Sequence, residues 1–240
     1  MDFLRTSAEL SRGHGENPVP KNTSAPDSVK LPTKTIEKKL FADGWRFVCG
    51  IDEVGMGCLA GPVVVCAVTF TKNFYKKTHK KLCWLRDSKL LSHKQREKFA
   101  EELKKEKGIR YELAYCLPKT IDKINIYQAA RRAMKRAVKK LKLNPRKTFI
   151  LVDGPAKIQN LQYEQSAIVK GDRRVFAIAC ASILAKVHRD KRMINYAKRY
   201  PNYGFEKHKG YGTKLHKTAL LAFGPTEIHR RSFAPVSKLA

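Results

Sequence analysis

Residues 45–70 read WRFVCGIDEVGMGCLAGPVVVCAVTF, and this stretch decides the fold. Arg46–Ile51 and Pro62–Phe70 are apolar runs that predict two strands. The second run is nearly continuous in valine, which is typical of a strand that is covered on both faces of its sheet. The link between them contains three glycines, Gly55, Gly57 and Gly61. Such a link can turn tightly and bring bare backbone close to a ligand.

Carboxylates lie where predicted core elements begin or end. Asp52 and Glu53 directly follow the first strand, Asp153 follows the apolar run Phe149–Val152, and Asp172 precedes a long helical pattern. Taken singly, each has an ordinary explanation: an ion pair with lysine or arginine, an Asp-Gly turn, or a helix N-cap. Taken together in a strongly basic chain, they favour a magnesium or manganese phosphodiesterase. Such an enzyme needs hard oxygen ligands for two ions and neither cysteine nor histidine.

The net charge indicates a polyanionic partner. Lysine and arginine number 50 against 21 acidic residues, which gives a formal net charge of +29. Residues 1–36 hold five basic and four acidic side chains, so nearly all of the excess lies in the remainder. An excess of this size is typical of a nucleic-acid-binding protein. A ribosomal or architectural binder without catalysis would explain the charge equally well, but it would not explain the placement of the carboxylates.

The rest of the chain shows helical and strand patterns. Residues up to about Thr35 lack apolar periodicity, so we place a disordered tail over residues 1–40, with order beginning near Ile36. Ser92 and Gln95 form a capping box that predicts a helix to about Glu106. Further helices are predicted over Ile124–Leu141, Phe176–Tyr200 and Thr213–Phe223, and further strands over Tyr111–Leu117, Thr148–Val152 and Gln165–Val169. This mixture predicts an α/β or α+β layered domain without fixing the strand order.

The helix predicted over Ile124–Leu141 is amphipathic and cationic. Apolar residues recur on one face, and six basic residues lie on the other: Arg131, Arg132, Lys135, Arg136, Lys139 and Lys140. We expect this basic face and the C-terminal segment to make sequence-independent contacts with phosphates. Activity should therefore fall steeply with salt.

Cysteines and apolar runs indicate the compartment. Six cysteines are scattered without metal-binding spacing and mostly lie in apolar runs such as Val63–Val68, so we expect them to be reduced and buried. No run approaches the roughly 20 apolar residues that cross a bilayer, and the N-terminus lacks an apolar signal core. We therefore expect a cytoplasmic protein without a membrane partner.

The histidines form no recognisable metal-ligand set. His188, His208, His216 and His229 lie in the second half of the chain. The proposed metal chemistry needs no histidine, so we expect most of them at the surface or in contact with phosphate.

The sequence closely resembles the ribonuclease HII (type 2 ribonuclease H) family. The resemblance spans about Trp45–Val236 and begins with the run Gly50–Val64 quoted above. Further matching blocks follow in the family's order: Asp87-Ser88-Lys89, Val152-Asp153-Gly154, Lys170-Gly171-Asp172, Ala181–Val187 with Arg189-Asp190, Tyr203-Gly204-Phe205, Lys209–Thr213 with His216, and His229–Phe233. So many ordered blocks are very improbable by chance.

The resemblance implies an α/β ribonuclease H-like fold with a central mixed sheet flanked by helices. A catalytic domain would span residues 41–200, and a C-terminal helical, substrate-binding extension would span residues 201–240. By matching position, the metal ligands are Asp52, Glu53, Asp153 and Asp172, which would hold two Mg²⁺ or Mn²⁺ ions. The implied substrate-binding residues are Gly55 and Gly57, in the loop that senses the ribose 2′-hydroxyl, Met56 between them, Lys89, which contacts phosphate, and Tyr211, which packs on a deoxyribose.

Several residues qualify the resemblance. Ser182, Lys186 and Asp190 also match, but their spacing of four on an apolar helix favours packing, capping or support of the metal ligands. Met56 stands where the family usually has arginine, and a thioether cannot grip phosphate bidentately. Asp172 stands where the related ribonuclease HIII branch usually has glutamate, and the short N-terminal tail also favours HII.

The resemblance implies an endonuclease that hydrolyses the RNA strand of RNA–DNA hybrids and cuts 5′ to ribonucleotides embedded in duplex DNA. We expect a monomer. Association with a sliding clamp is left open, because no clear clamp-binding motif ends the sequence. A transposase or junction resolvase of the same fold would share the metal chemistry but not the substrate, and the glycine link and Tyr211 argue against it.

Overall fold

The computed structural model describes residues 32–76 and 91–239. Five strands form one sheet: β1 (Phe47–Val54), β2 (Val63–Thr71), β3 (Ile109–Cys116), β4 (Thr148–Asp153) and β5 (Glu164–Ile168). Their order is β3-β2-β1-β4-β5. The first three strands pair in antiparallel fashion, whereas β1 pairs with β4 and β4 with β5 in parallel. The predicted mixed sheet is confirmed, and its strands lie within three residues of the predicted bounds.

Helices cover both faces of the sheet. They are α1 (Thr35–Ala42), α2 (Lys72–Lys76), α3 (His93–Lys105), α4 (Pro118–Ile124), α5 (Ile126–Lys140), α6 (Phe176–Arg199), α7 (Phe205–His208) and α8 (Lys214–Phe223). One apolar core lies between the sheet and α6, and α5 closes a second core on the opposite face. A third cluster joins the end of α6 to the C-terminal segment.

The central strand and the longest helix are in very close contact. A Cβ atom on Gly50 would lie 2.3 Å from the backbone carbon of Ala177. No other residue type leaves room for this approach, so Gly50 lets α6 lie directly on β1. The end of β1 is thereby fixed against the helix that bears Ser182, Lys186 and Asp190.

Two predicted boundaries are wrong. The tail boundary at residue 40 falls inside α1, whose Glu37 and Phe41 are buried, so the folded part begins before residue 41. The helix predicted over Ile124–Leu141 is α5, Ile126–Lys140, and it begins two residues later than predicted because Asn125 adopts a positive φ of 63° and caps it by accepting a hydrogen bond from the Gln128 amide. Residues 1–31 of the predicted tail lie outside the described residues.

Other local predictions fit the structure. Ser92 and Gln95 form the predicted reciprocal capping box at the start of α3. Five of the six cysteines are free and buried, and Cys83 lies outside the described residues. Asp172 is not a helix cap, since α6 has Val175 at its N-cap and Asp172 lies in a preceding 3₁₀ turn.

Candidate active site

Parallel pairing brings the first two carboxylates to the same edge of the sheet. Ile51 of β1 is in register with Val152 of β4, so Asp52 and Asp153 follow side by side at the carboxyl ends of these strands. The two strands are buried and apolar up to this point, which fixes the register of the acidic residues that follow. The carboxylates that the sequence places at these two strand ends are therefore neighbours.

Backbone amides orient two of the carboxylates. The Glu53 amide donates to Asp52 Oδ1 at 2.7 Å, and the Gly171 amide donates to Asp153 Oδ1 at 2.6 Å. The second bond draws the 3₁₀ turn Gly171–Arg173 against the end of β4. Asp172 is carried to the site by this turn.

All four acidic residues line one cleft of about 280 Å³. The other lining residues come from the glycine link, α6 and the C-terminal segment: Val54, Gly55, Met56, Gly57, Ser182, Lys186 and Tyr211. Every predicted site residue in the described part of the chain lines this cleft except Asp190. Lys89 lies outside the described residues.

Asp52 is a strongly perturbed group in the cleft. It is 5% exposed. Loss of hydration raises the pKa of Asp52 well above its usual value, and the negative charges of Glu53, Asp153 and Asp172 raise it further. A hydrogen bond with Ser182 acts in the opposite direction. A bound cation would neutralise this concentration of negative charge at a buried position.

The residues fit a hard divalent cation by their chemistry. Carboxylate oxygens are the ligands that Mg²⁺ and Mn²⁺ take in proteins. Among the described residues, no group of three or more acidic, histidine or cysteine side chains is arranged so that it could hold a metal ion.

Lys186 and Asp190 form an ion pair beside the carboxylates. Their Nζ and Oδ1 atoms are 2.9 Å apart, and the side chains are 20% and 5% exposed. The Lys186 ammonium also lies 5.7 Å from the centroid of the Tyr211 ring. Lys186 thus places a positive charge at the wall of the cleft near the Tyr211 ring, while Asp190 holds it there.

Two buried arginines hold the glycine link, and sequence reasoning gave them no role. Arg189 donates to the carbonyls of Ala60, Pro62 and Lys209 at 2.8–3.0 Å. Arg230 donates to the carbonyls of Gly55, Met56 and Gly61 at 2.6–3.1 Å. Both side chains are fully buried. The only signal in the sequence was their presence in the matching blocks.

Tyr211 faces the cleft from a rigid backbone. Its residue is 41% exposed, and an isolated antiparallel bridge pairs it with Cys58 in the glycine link. The Tyr211 amide donates to the His208 carbonyl at 3.0 Å. An exposed ring on a fixed backbone is suited to packing against a flat face of a ligand.

Comparison with known proteins identifies the family. Residues 49–236 match the family model described as Ribonuclease HII. This chain belongs to the ribonuclease HII family. Members of this family are metal-dependent endonucleases with ribonuclease H activity.

Individual relatives agree with this membership. The ribonuclease HII of Caldicellulosiruptor bescii is 50% identical over 198 residues, which cover 82% of this chain and 91% of that protein. The ribonuclease H2 structure from Pyrococcus horikoshii OT3 aligns with a TM-score of 0.66 and 25% identity, covering 80% and 96% of the two chains. The ribonuclease HII of Archaeoglobus fulgidus, solved in complex with PCNA, aligns at 0.61 and 25%, covering 78% and 95%.

The prediction about the histidines of this ribonuclease HII chain is wrong. His208, His216 and His229 are 8%, 0% and 2% exposed. They lie in the third core cluster, where the rings of His208 and His216 stack with centroids 4.4 Å apart. They are buried because backbone groups supply hydrogen-bond partners for their ring nitrogens, which sequence spacing cannot reveal.

The cationic face of α5 is only partly available to a ligand. Arg132, Arg136, Lys139 and Lys140 are exposed. However, Arg136 donates to the Tyr115 carbonyl at 3.2 Å and Lys140 donates to the Leu113 carbonyl at 3.0 Å. Both carbonyls belong to the edge strand β3, so these side chains also protect that edge from pairing with another chain.

No helix in the described ranges is long and apolar enough to span a bilayer.

Proposed function

We propose that this ribonuclease H hydrolyses the RNA strand of RNA–DNA hybrids and also cuts 5′ to single ribonucleotides within duplex DNA, for their removal in replication and repair. The products would be 3′-hydroxyl and 5′-phosphate ends. The observation that carries the proposal is the single cleft that unites four carboxylates with a glycine link and an exposed tyrosine ring. The carboxylates supply the hydrolytic part of this site, and the link and ring supply recognition of the sugar.

The four carboxylates are proposed as the ligands of two Mg²⁺ or Mn²⁺ ions. Asp52 is central, because the charges of the other three raise its pKa. When bound, such ions supply the positive charge that activates a water and stabilises the leaving oxygen. Ser182 orients Asp52 through its hydrogen bond, and the Gly171 amide orients Asp153. Lys186, held by Asp190, is placed to stabilise a substrate phosphate.

Sugar identity is proposed to be read by the glycine link. RNA differs from DNA at this point by the 2′-hydroxyl, which donates and accepts hydrogen bonds. Backbone at Gly55, Met56 and Gly57 can contact this group without a side chain in the way, and Arg230 fixes two of the carbonyls that shape the turn. Tyr211 would pack on the neighbouring deoxyribose. Lys89 stays a predicted phosphate contact.

Sequence-independent affinity is assigned to the basic surface. We infer that Arg132 and Lys139 of α5 and the extension over residues 201–240 contact phosphates beyond the cleft, while residues 41–200 form the catalytic domain. The PCNA complex of the Archaeoglobus fulgidus relative motivates a test of clamp binding. Clamp binding, the monomeric state and the cytoplasmic location stay predictions for this chain.

The experiment compares three labelled duplexes: DNA with one ribonucleotide, a continuous RNA–DNA hybrid, and all-DNA. Each is incubated with magnesium, with manganese and with chelator. Cutting on the 5′ side of the ribonucleotide that needs metal, spares all-DNA and disappears in Asp153→Asn is the expected result. Cutting of the hybrid alone would limit the proposal to hybrids. No cutting of any ribonucleotide-containing duplex would refute it and favour a binding protein, and cutting of a four-way DNA junction would favour a resolvase.

A further inference from the structure

A chain of hydrogen bonds through two buried histidines has its proton positions fixed by the backbone. The Thr226 amide donates to His229 Nδ1 at 2.9 Å, so this nitrogen carries no proton. His216 Nδ1 lies 2.9 Å from the Tyr211 carbonyl, which can only accept, so this nitrogen carries one. The two Nε2 atoms are 3.0 Å apart. His229 Nε2 must therefore donate to the bare Nε2 of His216.

Both rings are held in the neutral form. Burial lowers the pKa of each histidine to about 4, and repulsion by neighbouring histidines contributes in the same direction. A second proton on His216, at Nε2, would face the N–H of His229 Nε2. A second proton on His229, at Nδ1, would face the Thr226 amide N–H. The pair is therefore a rigid connection at neutral pH.

The two ends of this connection lie behind the two parts of the cleft that are assigned to substrate recognition. His216 holds the Tyr211 carbonyl, and Tyr211 is bridged to Cys58 in the glycine link. The His229 backbone forms a second bridge, to Ala60 of the same link. Neither histidine lines the cleft itself.

We propose that His216 and His229 are positioning residues, which set Tyr211 and the glycine link in the register needed to recognise a ribonucleotide followed by DNA. This inference rests on the proposed function, because it assigns junction recognition to Tyr211. The mechanism is indirect. The ordered hydrogen bonds fix the Tyr211 backbone, and the fixed backbone aims the exposed ring.

The substitutions that test this role differ in which contact they keep. An asparagine at position 216 can place its amide nitrogen near the position of Nδ1 and donate to the Tyr211 carbonyl. A phenylalanine fills the same space but removes the ring donor, so the Tyr211 carbonyl keeps only its hydrogen bond from the Thr213 amide at 2.8 Å, and His229 Nε2 loses its acceptor. Loss of this buried hydrogen bond loosens the Tyr211 backbone, so an effect of about tenfold is expected. His216→Asn is the matched variant that should recover most of it.

The first measurement needs no substrate. Nitrogen-15 spectra of the imidazole rings at pH 7 should show a proton on Nδ1 of His216 and on Nε2 of His229. Hydrogen exchange at the Tyr211 and Thr213 amides should accelerate in His216→Phe and stay near wild type in His216→Asn. Opposite tautomers, a charged ring, or unchanged exchange in His216→Phe would overturn the inference, whatever the enzyme proves to cut.

The second measurement separates positioning from a general loss of stability. KM and kcat are compared for the single-ribonucleotide duplex and for the continuous hybrid. His216→Phe should raise KM about tenfold on the first substrate and much less on the second. The ratio of KM for the single-ribonucleotide duplex to KM for the hybrid is the quantity compared. In a Tyr211→Ala background His216→Phe should no longer change this ratio. Equal losses on both substrates, or the same change of the ratio in both backgrounds, would contradict the inference. A wild-type protein that cuts neither duplex would refute the proposed function alone.

Discussion

Arg230 Nη2 donates to the Gly55 carbonyl at 2.6 Å. The two residues are 175 positions apart in the sequence, and Gly55 lines the cleft that contains the carboxylates. The same guanidinium reaches the carbonyls of Met56 and Gly61, so one C-terminal side chain determines the path of the link that follows Asp52 and Glu53. The C-terminal segment is therefore a structural part of the cleft.

Replacing Arg230 should damage the cleft through its carbonyl partners. Lysine lacks the planar fork of donors, so Arg230→Lys leaves at least one buried carbonyl unpaired. We expect a loss of about 2 kcal/mol of stability, seen as a fall in melting temperature of roughly 5 °C, together with reduced cleavage. Exposed Arg231 provides the matched control, since its side chain is not buried among backbone carbonyls as that of Arg230 is. Equal melting temperatures for Arg230→Lys and Arg231→Lys would contradict this account.

The link should tolerate a methyl group at one glycine and reject it at another. Gly55 has a φ of +97°, and a Cβ there would lie 2.4 Å from Nε of the buried Arg189. At Gly57 a Cβ meets nothing within 4 Å among the described residues. Thermal unfolding should therefore show a clear loss for Gly55→Ala, about 2 kcal/mol or more from strain and displaced arginine, and little change for Gly57→Ala. The reverse order would refute the geometry of the link.

The sequence predicted the parts of the site that depend on local pattern. Continuous apolar runs located β1 and β4, and the carboxylates at their ends followed from the chain order. The positions of Arg189, Arg230, His216 and His229 were not predictable in this way. In a chain with 50 basic residues an arginine or histidine is ordinarily a surface group, and only backbone carbonyls supplied by distant segments make their burial favourable.

Removing one charge from the crowded cleft should stabilise the metal-free protein. Asp52→Asn keeps an oxygen that can accept from the Glu53 amide and removes the repulsion by Glu53, Asp153 and Asp172. In chelator we expect its melting temperature to rise by a few degrees. Added Mg²⁺ or Mn²⁺ should stabilise the wild type and have a smaller effect on the variant, which should not cleave. Exposed Asp43→Asn is the control. A variant that melts below wild type in chelator would show that burial and repulsion of the Asp52 charge do not destabilise the metal-free protein.

Glu37 should make the protein less stable as the pH rises. It is fully buried, Oε1 accepts from the Ala177 amide at 2.9 Å, and Oε2 has no hydrogen-bond partner among the described residues. Burial raises the pKa of Glu37 to about 7. Between pH 4.5 and 7 the folded state keeps a proton that the unfolded chain has lost, so the stability that this group contributes declines across this window.

Glu37→Gln should remove that decline. The amide oxygen can still accept from the Ala177 amide. The variant should therefore have the same stability as wild type near pH 4.5 and be more stable than wild type at pH 8, by on the order of 3 kcal/mol, with a correspondingly higher melting temperature. His216 and His229 make the protein less stable as the pH falls below 6.5, because the pKa of each is lowered to about 4 in the folded state. Wild type and Glu37→Gln share both histidines, so the difference between their melting temperatures at each pH isolates the effect of Glu37. Exposed Glu101→Gln should follow wild type throughout. A difference that shrinks with rising pH would rule out this assignment.

Met56 should limit the affinity of the link for its substrate. Its carbonyl is held by Arg230, and its side chain lies in the cleft at the edge of the second core, where it offers no donor to a phosphate. Met56→Arg adds a guanidinium that can grip a phosphate bidentately. In an Asp153→Asn background that prevents cutting, we expect about tenfold tighter binding of a duplex with one ribonucleotide. The slope of log Kd against the logarithm of the salt concentration should steepen by about one, as expected for one additional phosphate contact. Met56→Leu keeps the shape without a charge and should bind as wild type does. If Met56→Arg and Met56→Leu bind alike, the position is too far from a phosphate for its charge to matter.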